Sequence, residues 1–135
     1  MKNVAVGVVL VRDGRVLLGL RQGGPGEGMW GTPGGRVDEG EHPLAAAARE
    51  LEEETGLRAV ELRPLTWTMT EPTELGGEPW LVLHVLVRAD GEPQLREPHK
   101  CAEWRFADWS DPPAPLFHGA QKLKDSGFPV PGVRL

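Results

Sequence analysis

The sequence predicts an α/β fold, an α/β/α sandwich in which a mixed β-sheet is flanked by helices. Three observations carry this. Asn3–Val11 and Trp80–Arg88 are apolar at nearly every position, as in strands covered on both faces. Leu44–Thr55 is a run of strong helix formers with no Gly or Pro, between Gly40 and Gly56. Leu116–Ser126 sets Leu116, Ala120 and Leu123 on one helical face. The resulting order is β-β-turn-α-β-β-β-α, which stacks in layers.

Composition sets the bounds. The 135 residues suffice for one domain with a real core, and the chain is read as a single domain over 1–135. No apolar run approaches the length of a membrane span, and the N-terminal run reads as a strand rather than a signal peptide. A single Cys excludes an internal disulfide and fits a reducing cytoplasm. The net charge of −5 argues against a nucleic-acid polymer as partner, but not against a small phosphate ligand whose charge a metal offsets.

The elements follow in order. Asn3–Val11 turns at Asp13-Gly14, a hairpin signal, and returns as Arg15–Arg21. Gln22–Met29 is a Gly-rich connection without the Gly-Lys-Ser/Thr of a P-loop. Trp30 packs at the base of the next loop, and Pro33, Gly34 and Gly35 mark a turn. Gly40 closes a short loop, Pro43 suits the first turn of a helix, and Gly56 suits its C-terminal cap. Ala59–Thr70 is a strand, Glu71–Pro79 a loop turning at Gly76-Gly77, and Trp80–Arg88 the clearest strand. His84 lies inside that strand with no second His at ligand spacing, so it reads as a packed or pocket-facing residue. Glu92–His99 is a Pro-bounded loop and Lys100–Asp108 a strand, with Cys101 a small buried hydrophobe. Trp109–Pro115 leads into the helix Leu116–Ser126.

The first helix carries the chemistry. At about 100° per residue, Leu44, Ala48, Leu51 and Thr55 form the expected buried stripe. Glu50, Glu53 and Glu54 converge on a neighbouring stripe, while Glu52 points to solvent. Like charges at this spacing repel, and a divalent cation reverses that cost. Oxygen-only ligands suit Mg²⁺, which commonly bridges carboxylates to a substrate phosphate; Mn²⁺ is the alternative. A solvated acidic face is the bland reading, and the spacing argues against it. Gly35 is followed after five residues by Glu41, and after seven more by Arg49-Glu50-Leu51-x-Glu53-Glu54-x-Gly56-Leu57. From average composition a chance match is on the order of 10⁻⁷.

That pattern resembles the Nudix box, the signature of the Nudix hydrolases, and Trp30-x-x-Pro33-Gly34-Gly35 resembles the entry to it in many nucleotide-hydrolysing members. The resemblance implies a Nudix α/β/α sandwich with a loop–helix–loop motif, and Mg²⁺-dependent hydrolysis of a nucleoside diphosphate linked to X. It implies metal ligands at Glu50, Glu53 and Glu54, with Glu97 as a further loop carboxylate. Glu50, Glu54 and Arg49 form the candidate catalytic set, with Glu50 or Glu54 the base in preference to Glu97 and Arg49 orienting Glu50. Gly35, Glu41 and Gly56 support the motif. Arg21, Gly34, Gly35 and His118 are the candidate substrate contacts.

The stretches Glu97–Trp104, Leu116–Gly119 and Lys122–Asp125 resemble the branch acting on nucleoside triphosphates. A (d)NTP or modified (d)NTP, cut to NMP and pyrophosphate, is therefore the leading expectation. ADP-ribose or a dinucleoside polyphosphate is the alternative substrate, and a non-catalytic nucleotide sensor the alternative class. A homodimer is implied by resemblance alone.

Overall fold

The structure is a computed structural model that describes residues 3–72 and 77–133. Its elements are β1 (Val4–Arg12), β2 (Arg15–Arg21), β3 (Trp30–Gly31), β4 (Gly34–Arg36), α1 (Pro43–Thr55), β5 (Ala59–Met69), β6 (Leu81–Ala89), β7 (Cys101–Ala107) and α2 (His118–Ser126). Gly76, half of the turn expected at Gly76-Gly77, lies outside the described residues.

β1 is the hub. It runs parallel to β6 from Val4↔Leu81 to Leu10↔Val87, and antiparallel to β4 through Ala5↔Arg36 and Gly7↔Gly34. Its far end enters a hairpin with β2, Val11↔Val16 and Arg12↔Arg15. The hairpin turns on Asp13 and Gly14 at φ 51° and 77°, both left-handed, as a two-residue turn requires. β5 pairs with β6, and β7 and β3 pair with β2. The sheet is therefore mixed, as expected.

Alternation along β1 divides the core. Val6, Val8 and Leu10 join Leu17, Ala46, Ala47 and Leu51 beneath α1. Val9 joins Val16, Leu18, Trp30, Leu116, Ala120 and Leu123 beneath α2. Both faces of β1 are covered, which is why its sequence carries no polar alternation.

Three expectations change. The buried residues of α1 are Ala46, Ala47, Leu51 and Thr55, whereas Leu44 and Ala48 are only half-buried. Two small alanines let the helix lie close to the sheet, and this rotates the stripe. Gly34–Arg36 is a strand rather than part of a turn, because it pairs with β1. The second helix starts at His118 rather than Leu116. Trp30 N–H donates to the Pro115 carbonyl at 2.8 Å and Phe117 N–H to the Trp30 carbonyl at 2.7 Å, which holds this segment extended beside β3. Among the described residues no helix is long and apolar enough to cross a membrane.

Candidate active site

The site begins with the ends of α1. Pro43 occupies its first turn, where the missing N–H has no partner to lose. His42 caps it, Nδ1 accepting from Leu44 N–H at 3.1 Å. At the other end Gly56 takes φ 79°, and its N–H donates to the Glu52 carbonyl at 2.9 Å.

Arg49 ties this helix to the loop before it. Its Nε and Nη2 donate to the two oxygens of Glu41 at 2.8 and 3.0 Å, a bidentate pair. Nη2 also donates to the Arg36 carbonyl at 3.1 Å, and Nη1 to Glu50 Oε1 at 3.0 Å. The paired guanidinium holds the Glu41 carboxyl down to about 2. Arg49 is itself pushed further up, chiefly by Glu41.

The helix carboxylates meet β4, whose glycines allow it. A Cβ on Gly34 would lie 2.1 Å from the Val6 carbonyl oxygen, so β4 can approach β1 only with glycine there. Gly34 N–H donates to Glu54 Oε2 at 3.0 Å. Glu50 lies over Gly35, where a Cβ would sit 2.5 Å from its Oε1. The Glu50 and Glu54 carboxyls hydrogen-bond each other, and both are pushed up, first by burial. For Glu54 the charge of Glu50 is the next cause, and the charge of Glu97 adds to it. Two partly buried carboxylates side by side resist ionising together, and a cation between them relieves this.

Glu53 departs from the expected cluster. It is half exposed and turned toward Arg49 Nη1 at 3.3 Å. Among the described residues no three His, Cys, Asp or Glu side chains stand gathered as a metal cluster. The donors nonetheless fit a hard divalent cation. Glu50 and Glu54 present only oxygens, and the upward shift of both, from burial and, for Glu54, the charge of Glu50, is what a cation would relieve. Glu97 faces the same cavity from the loop before β7, with Lys100 Nζ 3.8 Å away.

The cavity has a volume of about 880 Å³, within the range of small-molecule sites. Arg21, Gly34, Gly35, Glu50, Glu54 and Glu97 all line it. A bulge separates Leu20↔Glu103 from Arg21↔Cys101 and turns the end of β2. The Arg21 guanidinium lies 3.8 Å from the centre of the Phe117 ring, and its Nε donates to the Pro25 carbonyl at 2.9 Å. Burial lowers its pKa, against the opposing pull of Glu54.

His118 is not among the lining residues; its neighbours Phe117 and Gly119 are. Sequence reading points to the helix position, but the extended residue before the helix faces the cavity. The glycine-dependent seat of Glu50 and the Arg21–Phe117 stack likewise go beyond what the sequence suggests. The one available signal is the small residue at Gly31, where a Cβ would lie 3.3 Å from Phe117 Cβ.

A family described as NUDIX domain matches residues 1–126. A solved MutT NUDIX hydrolase from Burkholderia pseudomallei is 33% identical, with a TM-score of 0.85 over 94% of this chain and 98% of that one. An octanoyltransferase of Myxococcus xanthus is 40% identical over 112 residues, 77% of this chain and 30% of that protein. An oxidized purine nucleoside triphosphate hydrolase of Danio rerio is 52% identical over 50 residues, 37% and 32% of the two. An RNA pyrophosphohydrolase of Caulobacter vibrioides is 55% identical over 58 residues, 42% and 34%. The chain spans about a third of the length of these three relatives.

Proposed function

The chain belongs to the Nudix family, and we propose from this premise that it is a pyrophosphohydrolase cleaving a (d)NTP or modified (d)NTP to NMP and pyrophosphate. One observation carries the reading. Glu50 and Glu54 are brought into contact on the wall of a nucleotide-sized cavity that Arg21 also lines. Nudix hydrolases generally use divalent metal ions, and here Glu50 and Glu54, with Glu97, would hold Mg²⁺ or Mn²⁺. When bound, the cation neutralises phosphate oxygens and the charge that develops on them.

The protein's own groups do the rest. Arg21, fixed on Phe117 and on the Pro25 carbonyl, offers its remaining N–H groups to the phosphate chain. Arg49 holds Glu50 in place, and Gly34 N–H holds Glu54. A water attacks phosphorus, the bond to the departing pyrophosphate oxygen breaks, and a carboxylate takes the water's proton. Glu50 or Glu54, both seated on the cavity wall, is the base in preference to Glu97. Arg49 positions Glu50 and does not touch substrate.

The test is turnover of a panel with Mg²⁺: canonical and 8-oxo nucleoside triphosphates, ADP-ribose, diadenosine polyphosphates and a 5′-triphosphorylated RNA. NMP and pyrophosphate are read separately. The expected result is NMP plus pyrophosphate from one triphosphate, abolished by EDTA and lowered by orders of magnitude in Glu50→Gln with the fold intact. Near-normal activity of Glu50→Gln would overturn the assignment. Turnover of ADP-ribose, dinucleotides or RNA alone would keep the metal helix and replace the substrate.

A further inference from the structure

Behind the cavity wall, away from the carboxylates, lies a second polar feature, the imidazole of His84, which is not itself a lining residue. His84, on β6, is only 1% exposed. Its Nε2 is 2.8 Å from the Thr68 hydroxyl, and its Nδ1 is buried without a hydrogen-bond partner among the described residues. Gly7 faces it in the parallel register of β1 and β6. A Cβ on Gly7 would lie 3.2 Å from His84 Nδ1, 3.2 Å from Thr32 Oγ1 and 3.6 Å from Val82 Cγ1. Gly7, Thr32 and Val82 line the cavity, together with Trp80, Phe117 and Gly119. The bare spot over Gly7 is thus flanked by one imidazole nitrogen and one hydroxyl.

Its place in the fold suits one end of a nucleotide. Gly7 pairs with Gly34, whose N–H holds Glu54. Val6 and Val8 face α1, and Val9 lies on the side of α2. Gly7 shares the parity of Val9, so its bare face belongs to the α2 side while the carboxylates lie on the α1 side. Phosphates at the acidic end leave the heterocycle to reach the α2 side.

We propose that His84 Nδ1 and the Thr32 hydroxyl hydrogen-bond the edge of the substrate's heterocyclic base and so set base preference. The inference rests on the function proposed above. A buried nitrogen without a partner is costly, so a base supplying that partner gains over one that does not. The hydroxyl both donates and accepts. The Thr68 contact fixes which role is left to Nδ1.

The experiment separates the two ring nitrogens. Asn places an amide group near the position of Nδ1, and Gln near that of Nε2. Wild type, His84→Asn, His84→Gln and Thr32→Val are compared for kcat/KM on triphosphates that differ only in the base. Metal-free binding of the matching monophosphates is measured by calorimetry. We expect His84→Gln to keep the Thr68 contact yet collapse the ratio between best and worst base by about tenfold or more, as does Thr32→Val. His84→Asn retains most of the ratio, and the losses fall on KM and on monophosphate affinity.

If His84 serves only the fold, the order reverses and Gln outperforms Asn, which overturns the inference. So does an unchanged ratio in Thr32→Val, or an ordered water kept on Nδ1 in a nucleotide-bound crystal structure. Wild type that neither binds nor cleaves any nucleotide would sink the proposed function. Wild type that cleaves while no variant shifts the ratio would sink this inference alone.

Discussion

Gly35→Ala tests whether the position of Glu50, rather than its mere presence, sets the rate. The new Cβ would lie 2.5 Å from Glu50 Oε1, 2.6 Å from Cδ and 2.8 Å from Oε2. Ordinary contact starts near 3.4 Å, so the carboxylate must retreat by about 0.9 Å. It is the far end of a flexible side chain, and it can move. Its hydrogen bond from Arg49 Nη1 at 3.0 Å and its bond with Glu54 then loosen. A hydrogen bond to a charged group contributes about 1.5–3 kcal/mol, and Ala offsets about 0.4–1 kcal/mol of this by restricting the unfolded chain. The net loss of about 1–2 kcal/mol lowers Tm by about 2–8 °C.

The rate responds more steeply, because misplacing a reacting group by about 1 Å costs about 10²-fold. Steady-state release of NMP from the preferred triphosphate at saturating Mg²⁺, with a thermal melt of the same sample, reads both effects. A kcat within about threefold of wild type would refute the reasoning. Gly34→Ala is the control of opposite kind. Its Cβ would meet the Val6 carbonyl oxygen at 2.1 Å, and that backbone cannot retreat without breaking the β1–β4 pairing. It should lose stability first and activity only as a consequence.

Further outcomes follow from the charges. Burial and the charge of Glu50 push Glu54 up, so the metal-free folded state binds its proton more tightly than the unfolded chain does. Its stability is then highest below the ordinary carboxylate range and falls as pH rises, and Glu54→Gln should flatten that slope in melts from pH 5 to 9 and remove stabilisation by Mg²⁺. His84 shifts the other way. Burial holds it down to about 4, so between its ordinary value of 6.5 and that point the unfolded chain binds the proton and the folded state does not. Acidification through this window should cost about 3 kcal/mol in wild type relative to His84→Gln, read by urea unfolding at pH 7 and pH 4. Arg49→Lys cannot keep both oxygens of Glu41, the Arg36 carbonyl and Glu50 together. It should lose about 1–3 kcal/mol of stability and part of kcat, and Glu41 should titrate nearer its ordinary range by NMR.

The fold was legible where short-range chemistry decides it. Pro43 and Gly56 bracket α1 as expected, Asp13-Gly14 makes the hairpin, and the unbroken Val-rich run is the strand covered on both sides. What escaped depends on partners distant in sequence. Gly34-Gly35 reads as a turn because glycine is a turn residue, and nothing local says that β1 and Glu50 need those positions bare. Glu50, Glu53 and Glu54 are neighbours on a helical wheel, yet Arg49 draws Glu53 outward while Gly34 N–H draws Glu54 inward. A wheel knows nothing of either. His118 and Phe117 differ by one residue, and the choice between them turns on backbone bonds to Trp30 that delay the helix.

Three glycines share one logic. Gly34 gives up its Cβ to the backbone of β1, Gly35 to the carboxylate of Glu50, and Gly7 to the space between His84 and Thr32. Gly7 and Gly34 face each other in register, and Gly35 faces Val6, so the sheet is stripped of side chains at one patch. Polar groups reach that patch from the α1 side as carboxylates, and from the α2 side as an imidazole and a hydroxyl. A ligand that spans the thinned strands can meet a charged end and a neutral polar end at once. Filling any one of the three glycines should therefore damage a different function: Gly34 the pairing, Gly35 the rate, and Gly7 the choice of base.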